Sequence, residues 1–190
     1  MARPAAKSRM TYEEYLAAEA ISDVRHEFLN GDVSAMAGGT PEHSALAAAV
    51  IGELRVALRG QSCRVFTSDL RVRVMETGLS TYPDVAVVCG RAETAQDDPD
   101  AITNPIVLVE ILSDSTEAYD RGAKAAHYRR ISALQAYVIV SQAEPRIEVY
   151  RRADAGRWEL TEARAGERAE IGPLSIALDV STVYANPLER

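Results

Sequence analysis

Between Pro105 and Ser113 the chain reads Ile106-Val107-Leu108-Val109, then Glu110, then Ile111-Leu112. Six apolar residues, four of them β-branched, form a near-continuous run that predicts a strand covered on both faces. Tyr82-Pro83-Asp84-Val85-Ala86-Val87-Val88 is a second such strand and also carries one carboxylate, at its start. Ala136 to Ser141, AYVIVS, is a third. In the stretch Leu70 to Glu76, Leu70, Val72 and Val74 alternate with Arg71 and Arg73, which predicts a half-exposed antiparallel strand. CRVFTSD precedes it, and PRIEVYRR and RWELTEA read as an outer pair. Leu174 to Leu178 is a last strand, with a short tail helix ending near Tyr184.

Helical signals stand between these strands. Thr11 and Glu14 form a capping box ahead of YEEYLAAEA. HEFLNGDVSAM reads as a hairpin with Asn30-Gly31 as a type I′ turn. Thr40 is a good N-cap and Pro41 suits the first helical position. Leu46, Val50, Leu54 and Leu58, spaced by four, then carry a long helix to about Arg59. Ser113 to Thr116 offers caps for a helix over about 117–131. Residues 91–104 read as an acidic surface loop. The segment from the Glu110 strand through this helix to AYVIVS is a parallel crossover. The expected fold class is α/β (α+β): a mixed β-sheet with the long helix on one face and the 117–131 helix on the other. Residues 1–9 read as a disordered tail, and 10–190 as a single domain.

Composition narrows the class. The 190 residues are 47% hydrophobic and 26% charged, ordinary for a soluble globular chain with a sizeable core. No apolar run approaches the ~20 residues of a membrane span, and the basic N-terminus leads to no signal-type apolar segment. Cys63 and Cys89 lie in no CxxC pair, which predicts reduced thiols, neither a zinc site nor a disulfide framework, and a cytoplasmic location. A net charge of −7 argues against a broad basic nucleic-acid surface. A local patch would have to come from residues such as Arg71, Arg73, Arg121, Arg129 and Arg130.

Asp84 and Glu110 are the candidate chemistry. A carboxylate in a buried strand costs several kcal/mol unless a cation compensates it. Glu110 is either a strand-end residue reaching water or a salt bridge, or a metal ligand or acid/base. If the two strands are neighbours, both carboxylates emerge at one edge, and with a backbone carbonyl they make an oxygen site for Mg²⁺. Lys124 shares a helix face with Asp120 and with His127/Tyr128. The alternative is an exposed Asp120–Lys124 pair contributing ~0.3–0.5 kcal/mol. Nucleotide-binding and serine-hydrolase motifs (GxxxxGK[ST], GxGxxG after a strand, GxSxG) do not occur.

The ordered set HEFLNGDV, MAGGTPEHS, YPDVAVV, VLVEILSDST, D-RGAK-AHYRR and AYVIV resembles the Uma-two family of bacterial proteins assigned as endonucleases, over roughly residues 10 to 185. The resemblance implies the restriction-endonuclease-like PD-(D/E)xK fold and Mg²⁺-dependent hydrolysis of DNA phosphodiester bonds. It implies Asp84 and Glu110 as metal ligands, with the Ile111 carbonyl as a further one. The fold's usual lysine, two residues after the Glu, is Leu112 here. Family members look similar and carry a lysine on the following helix, which matches Lys124 as a relocated catalytic residue. Glu27 and His43 also match family positions, as outer shell or packing beside the site; Asp120 joins them through Lys124. DNA is the implied substrate, no membrane is involved, and a homodimer is expected because two strands must be cut. The competing reading is a catalytically weak interaction or regulatory protein that keeps the nuclease fold.

Overall fold

The computed structural model describes residues 9–36 and 38–185. Apart from Arg9, the expected tail over 1–9 lies outside them. Helix α1 (Tyr12–Glu19) starts at the Thr11–Glu14 capping box, with both reciprocal hydrogen bonds made. Strands β1 (His26–Leu29) and β2 (Asp32–Ala35) form the hairpin. Its turn residues Asn30 and Gly31 have φ of 51° and 93°, the positive values a type I′ turn needs. Helix α2 (Pro41–Ala57) is capped by Thr40, whose hydroxyl accepts from the His43 N–H.

Strands β3 (Cys63–Thr67), β4 (Arg71–Val74), β5 (Leu79–Thr81), β6 (Val85–Cys89), β7 (Thr94–Ala95), β8 (Asp98–Ile102) and β9 (Val107–Ile111) follow. After β9 comes a helix in three pieces: α3 (Glu117–Tyr119), a π-helical turn (Asp120–Lys124) and α4 (Ala125–Tyr128). The chain closes with β10 (Ala136–Val140), β11 (Arg146–Arg152), β12 (Trp158–Arg164), β13 (Arg168–Ile171), β14 (Ile176–Asp179) and α5 (Val180–Val183).

The central sheet has the order β12-β11-β10-β9-β6-β3. β9 pairs parallel with β10 and antiparallel with β6, so the predicted crossover is present. Alternation along β9 divides its side chains between two cores. Val107, Val109 and Ile111 pack with Leu46, Val50 and Leu54 of α2. Leu108 and Leu112 face Tyr128, Tyr137 and Ile139 on the other side, the face covered by the α3–α4 segment. Each such aliphatic side chain contributes about 1.5–3 kcal/mol on full burial.

Several features depart from the sequence reading, among them the start of α3, where Thr116 makes no side-chain cap hydrogen bond. A second six-stranded sheet, β2-β1-β5-β4-β8-β7, was not expected. Its Val72, Val74 and Leu79 pack on Ala86, Val88 and Leu108 of the central sheet. β4 is therefore not half-exposed: it lies between β5 and β8, and Arg71 is buried. The 91–104 segment is not merely a solvated loop, because it supplies β7 and β8 and buries Asp98. Cys63 and Cys89 are directly opposed on the antiparallel β3–β6 pair and joined as a disulfide. That corrects the expectation of reduced thiols and removes its support for a cytoplasmic location. The partners are 26 residues apart and are brought together only by strand register. No helix among the described residues is long and apolar enough to cross a membrane.

Candidate active site

β6 runs antiparallel to β9 with Val85 opposite Val109, so the start of one strand meets the end of the other. Asp84, one residue before β6, reaches that end: its Oδ2 accepts the Ile111 N–H at 2.7 Å. Glu110 projects from β9 into the core that contains Tyr128 and Tyr137 and is 4% exposed. The two carboxylates named from the sequence are thus brought to the same sheet edge.

Lys124 arrives from the π-helical turn. Its Nζ is 3.0 Å from Glu110 Oε1, 3.2 Å from Glu27 Oε1 and 3.3 Å from Asp120 Oδ1. Lys124 is 4% and Asp120 2% exposed, which excludes the solvated i,i+4 pair. Widening of the helix to π geometry, common at functional sites, coincides with the stretch that turns both side chains inward. The Tyr128 hydroxyl donates to Glu110 Oε1 at 2.7 Å. Leu112, at the fold's usual lysine position, is buried among the apolar side chains of the same core.

Glu27 comes from β1 in the other sheet and accepts from the Thr81 hydroxyl and from Lys124. His43, on the first turn of α2, places Nε2 3.2 Å from Asp84 Oδ2. Gly39 lies against the ring: a Cβ there would stand 2.7 Å from His43 Nδ1. Thr40 and the Leu112 carbonyl both bond Gln142, which ties the start of α2 to the same strand ends. Asp84, Glu110, Ile111, Lys124, Glu27, His43 and Asp120 therefore lie around one set of strand ends. What spacing could not supply is Tyr128 as a donor to Glu110, because its partner lies 18 residues away.

Electrostatically the site is out of balance. One ammonium faces three carboxyl groups, with Asp84 beside them. Burial pushes Glu110 up to about 8, against the pull of Lys124, and the nearby Asp84 and Asp120 push the same way. Burial alone would lower Lys124, but Glu110, Glu27 and Asp120 together hold it above its ordinary value. His43 is raised, chiefly by its hydrogen bond to Asp84, with the Ile111 backbone adding to this.

Among the described residues, no three His, Cys, Asp or Glu side chains stand in a ready-made metal cage. The donors nevertheless suit a hard divalent ion. Asp84 and Glu110 offer carboxylate oxygens at one edge, and the buried Asp120 Oδ1 has the Lys124 ammonium 3.3 Å away but no hydrogen bond.

The family model described as "Uma2: Putative restriction endonuclease" matches residues 12–182. The chain belongs to the Uma2 family. Two Synechocystis proteins, both described as uncharacterized, are similar to this Uma2 chain. The protein slr1290 is 34% identical over 93% of this chain and 92% of its own length. The protein sll1609 is 32% identical over 85% and 91%. A crystal structure from Anabaena variabilis, described as a putative nuclease belonging to DUF820, superposes with a TM-score of 0.75 at 16% identity, covering 93% of this chain and 98% of that one. The fold is α+β, with mixed sheets flanked by helices, of the restriction-endonuclease-like type. The family's description is that of a putative restriction endonuclease, a class that generally uses a divalent metal.

The arginines expected to form a basic patch are spent on internal contacts. Arg71 is paired with Asp98 in the core, and Arg73 lies 3.6 Å from the Tyr12 ring and donates to the Gly78 carbonyl. Arg121 bridges Glu117 and Glu148, and Arg129 donates to the Ala125 carbonyl. Arg130 is 62% exposed but pairs with Glu76. A surface cleft of ≈ 650 Å³ borders Arg71 and Asp98 rather than Lys124. It is open, and the buried polar groups on its wall already have partners.

Proposed function

We propose that this Uma2 protein is a Mg²⁺-dependent DNA endonuclease whose active centre is the Asp84–Glu110–Lys124 cluster. The observation that carries this reading is the buried charge imbalance: Lys124 faces Glu110, Glu27 and Asp120, while Asp84 stands at the same strand end. Such an excess of buried carboxylate is costly unless a proton or a cation compensates it, and burial pushes the Glu110 carboxyl above its ordinary range.

Asp84 and Glu110, with the Ile111 carbonyl, would hold the ion. Bound there, a divalent ion supplies a polarised water and neutralises charge building up on phosphorus. The chain's own groups do the rest. Asp84 is oriented by the Ile111 N–H. Glu110 is held by the Tyr128 hydroxyl, which donates to its Oε1, and would face the ion as a carboxylate. The Lys124 ammonium, anchored by Asp120 and Glu27, orients the attacking water and offsets charge on the phosphoryl oxygens. Cutting a duplex with one such site per chain favours a symmetric dimer.

A second reading, a catalytically weak interaction protein on the nuclease fold, is favoured by one observation: the candidate DNA-contacting arginines are engaged with the protein itself. Nicking of supercoiled plasmid by the purified protein decides between them. Cleavage should require divalent metal, vanish in Asp84→Asn and Glu110→Gln, and fall by roughly 10²–10³ in Lys124→Ala, as for loss of one electrostatic stabiliser. Lys124→Ala should bind metal about as well as the parent. Parental rates in the two carboxylate variants would overturn the assignment.

A further inference from the structure

β12 is an outer strand of the central sheet. With seven residues it is the longest outer strand of the two six-stranded sheets; β3 has five, β2 four and β7 two. In an antiparallel ladder, successive residues turn their backbone groups to opposite sides. The Arg152 N–H donates to the Gln135 carbonyl on the β10 side, and the Ala153 N–H donates to the Arg157 carbonyl. The register sets Arg152 opposite Trp158 and Arg151 opposite Glu159. Glu159, Thr161 and Ala163 therefore bond β11, while Trp158, Leu160, Glu162 and Arg164 turn their N–H and C=O groups outward. Arg164 is already served: its N–H donates to the Glu167 carboxylate and its carbonyl accepts the Glu167 N–H. Trp158, Leu160 and Glu162 remain, a set centred on Leu160.

The side chains of this edge suit a copy of itself. Leu160 is 54% exposed and stands opposite Tyr150, which with Trp158 packs partly buried against the core. Open edges are commonly guarded by unpaired charge. Here the charges are matched within the chain: Arg151 lies 2.8 Å from Glu159, and Arg164 lies 2.7 Å from Glu162. Two such edges can meet without like-charge repulsion.

We infer that β12 is a self-association edge whose partner is β12 of a second copy, running antiparallel about a two-fold axis through Leu160. In that register Leu160 faces Leu160 and Trp158 faces Glu162, each pair exchanging two backbone hydrogen bonds. Every free outward group is used, and the exposed leucine is covered by its own copy. The seam lies three strands from β9 and leaves the candidate active site uncovered. The pairing depends on the edge alone and holds whether or not the active centre cuts DNA. One strand pair makes a small interface, so the dimer is weak and depends on concentration.

The test is self-association of the full chain, read by analytical ultracentrifugation. A monomer–dimer equilibrium should shift over a hundredfold range of concentration. Leu160→Pro removes one outward N–H and no bond to β11, so it should weaken association at least tenfold. Leu160→Lys, which sets two ammonium groups face to face at the axis, should do the same. Because a variant can fail to fold, amide hydrogen exchange on the unaltered protein gives a separate readout. From dilute to concentrated protein, the Trp158, Leu160 and Glu162 amides should slow at least tenfold. Glu159 and Thr161, bonded to β11 at every concentration, should change by less than threefold. A chain that stays monomeric throughout overturns the inference. So does a dimer in which those three outward amides exchange as fast as in the monomer, because the copies then meet elsewhere. Parental association by a folded Leu160→Pro chain overturns it as well.

Discussion

Two buried ionic clusters lie on either side of the Tyr82-Pro83-Asp84 segment, and they are built on opposite plans. In the first, Arg71 grips Asp98 with two bonds, Nε to Oδ2 at 2.6 Å and Nη2 to Oδ1 at 2.9 Å. Its Nη1 donates to the Tyr82 hydroxyl, which donates to Glu19, and Tyr12 adds a further bond to Asp98. Arg71 is matched by Asp98, Glu19 has Tyr82 and His26 as its partners, and each carboxylate oxygen of Asp98 has its donors. Burial would raise Asp98, but the hydrogen bonds from Arg71 and Tyr12 and the Arg71 charge outweigh it and hold the carboxyl below its ordinary value. In the second cluster a single Lys124 serves three carboxyl groups, and Glu110 is pushed up instead. Glu110 and Lys124 are also more deeply enclosed than Arg71 and Asp98, which border an open cleft, so both burial and stoichiometry differ. A matched cluster is a clamp between α1 and the second sheet, whereas an unmatched one remains short of a cation.

The largest test of this contrast is stability. Asp98→Ala should destabilise the fold by about 3–5 kcal/mol, because it strands a buried guanidinium. In the same urea titrations Glu110→Gln should leave the metal-free protein at least as stable as the parent, since it replaces a carboxyl group already favoured in its neutral form. Equal losses in both variants would mean that the clusters do the same job.

The pH dependence separates them next. Glu110 titrates near 8 in the fold against an ordinary 4.5. Its contribution is full below about pH 4.5 and is lost as pH rises toward 8, because the unfolded chain releases the proton first. Asp98 is shifted downward from 3.8, so its contribution is present above that value and is lost as pH falls through the folded value. Metal-free protein should therefore lose stability between pH 4.5 and 8, and Glu110→Gln should flatten that decline. A decline that persists unchanged in the variant would assign it to another group.

The smallest effect sharpens the surface side of the comparison. Arg130 and Glu76 are 62% and 58% exposed, so Arg130→Ala should change stability by no more than about 1 kcal/mol. If Arg130 contacts DNA, the same variant should still lower the salt slope of binding by about one unit.

Local pattern carried a good part of this molecule. The capping box at Thr11, the Asn30-Gly31 turn, the Thr40-Pro41 start of α2, the Asp84 and Glu110 strands and the crossover to β10 all follow from residues close together in the chain. Such features are set by short-range sterics, caps and the period of apolar positions. Glu27 and His43 were legible only through likeness to the Uma2 family, since neither is marked by spacing.

Long-range pairing decided the rest. Arg71 reads as the polar face of an alternating strand until β8 arrives beside it and brings Asp98, 27 residues on, into two-bond contact. The charge run over 91–104 conceals a buried partner because charge alone does not say which member is covered. Cys63 meets Cys89 through strand register. Spacing puts Lys124 on one helix face with Asp120 and only the family resemblance makes it catalytic, while its burial depends on β1 delivering Glu27 from another sheet and on the π-helical turn that faces it inward. The sequence by itself determined which elements form and which carboxylates interrupt them. The tertiary structure alone decided which charges are matched, because matching depends on groups far apart in the chain meeting in a low-dielectric interior, and local periodicity carries no information about that.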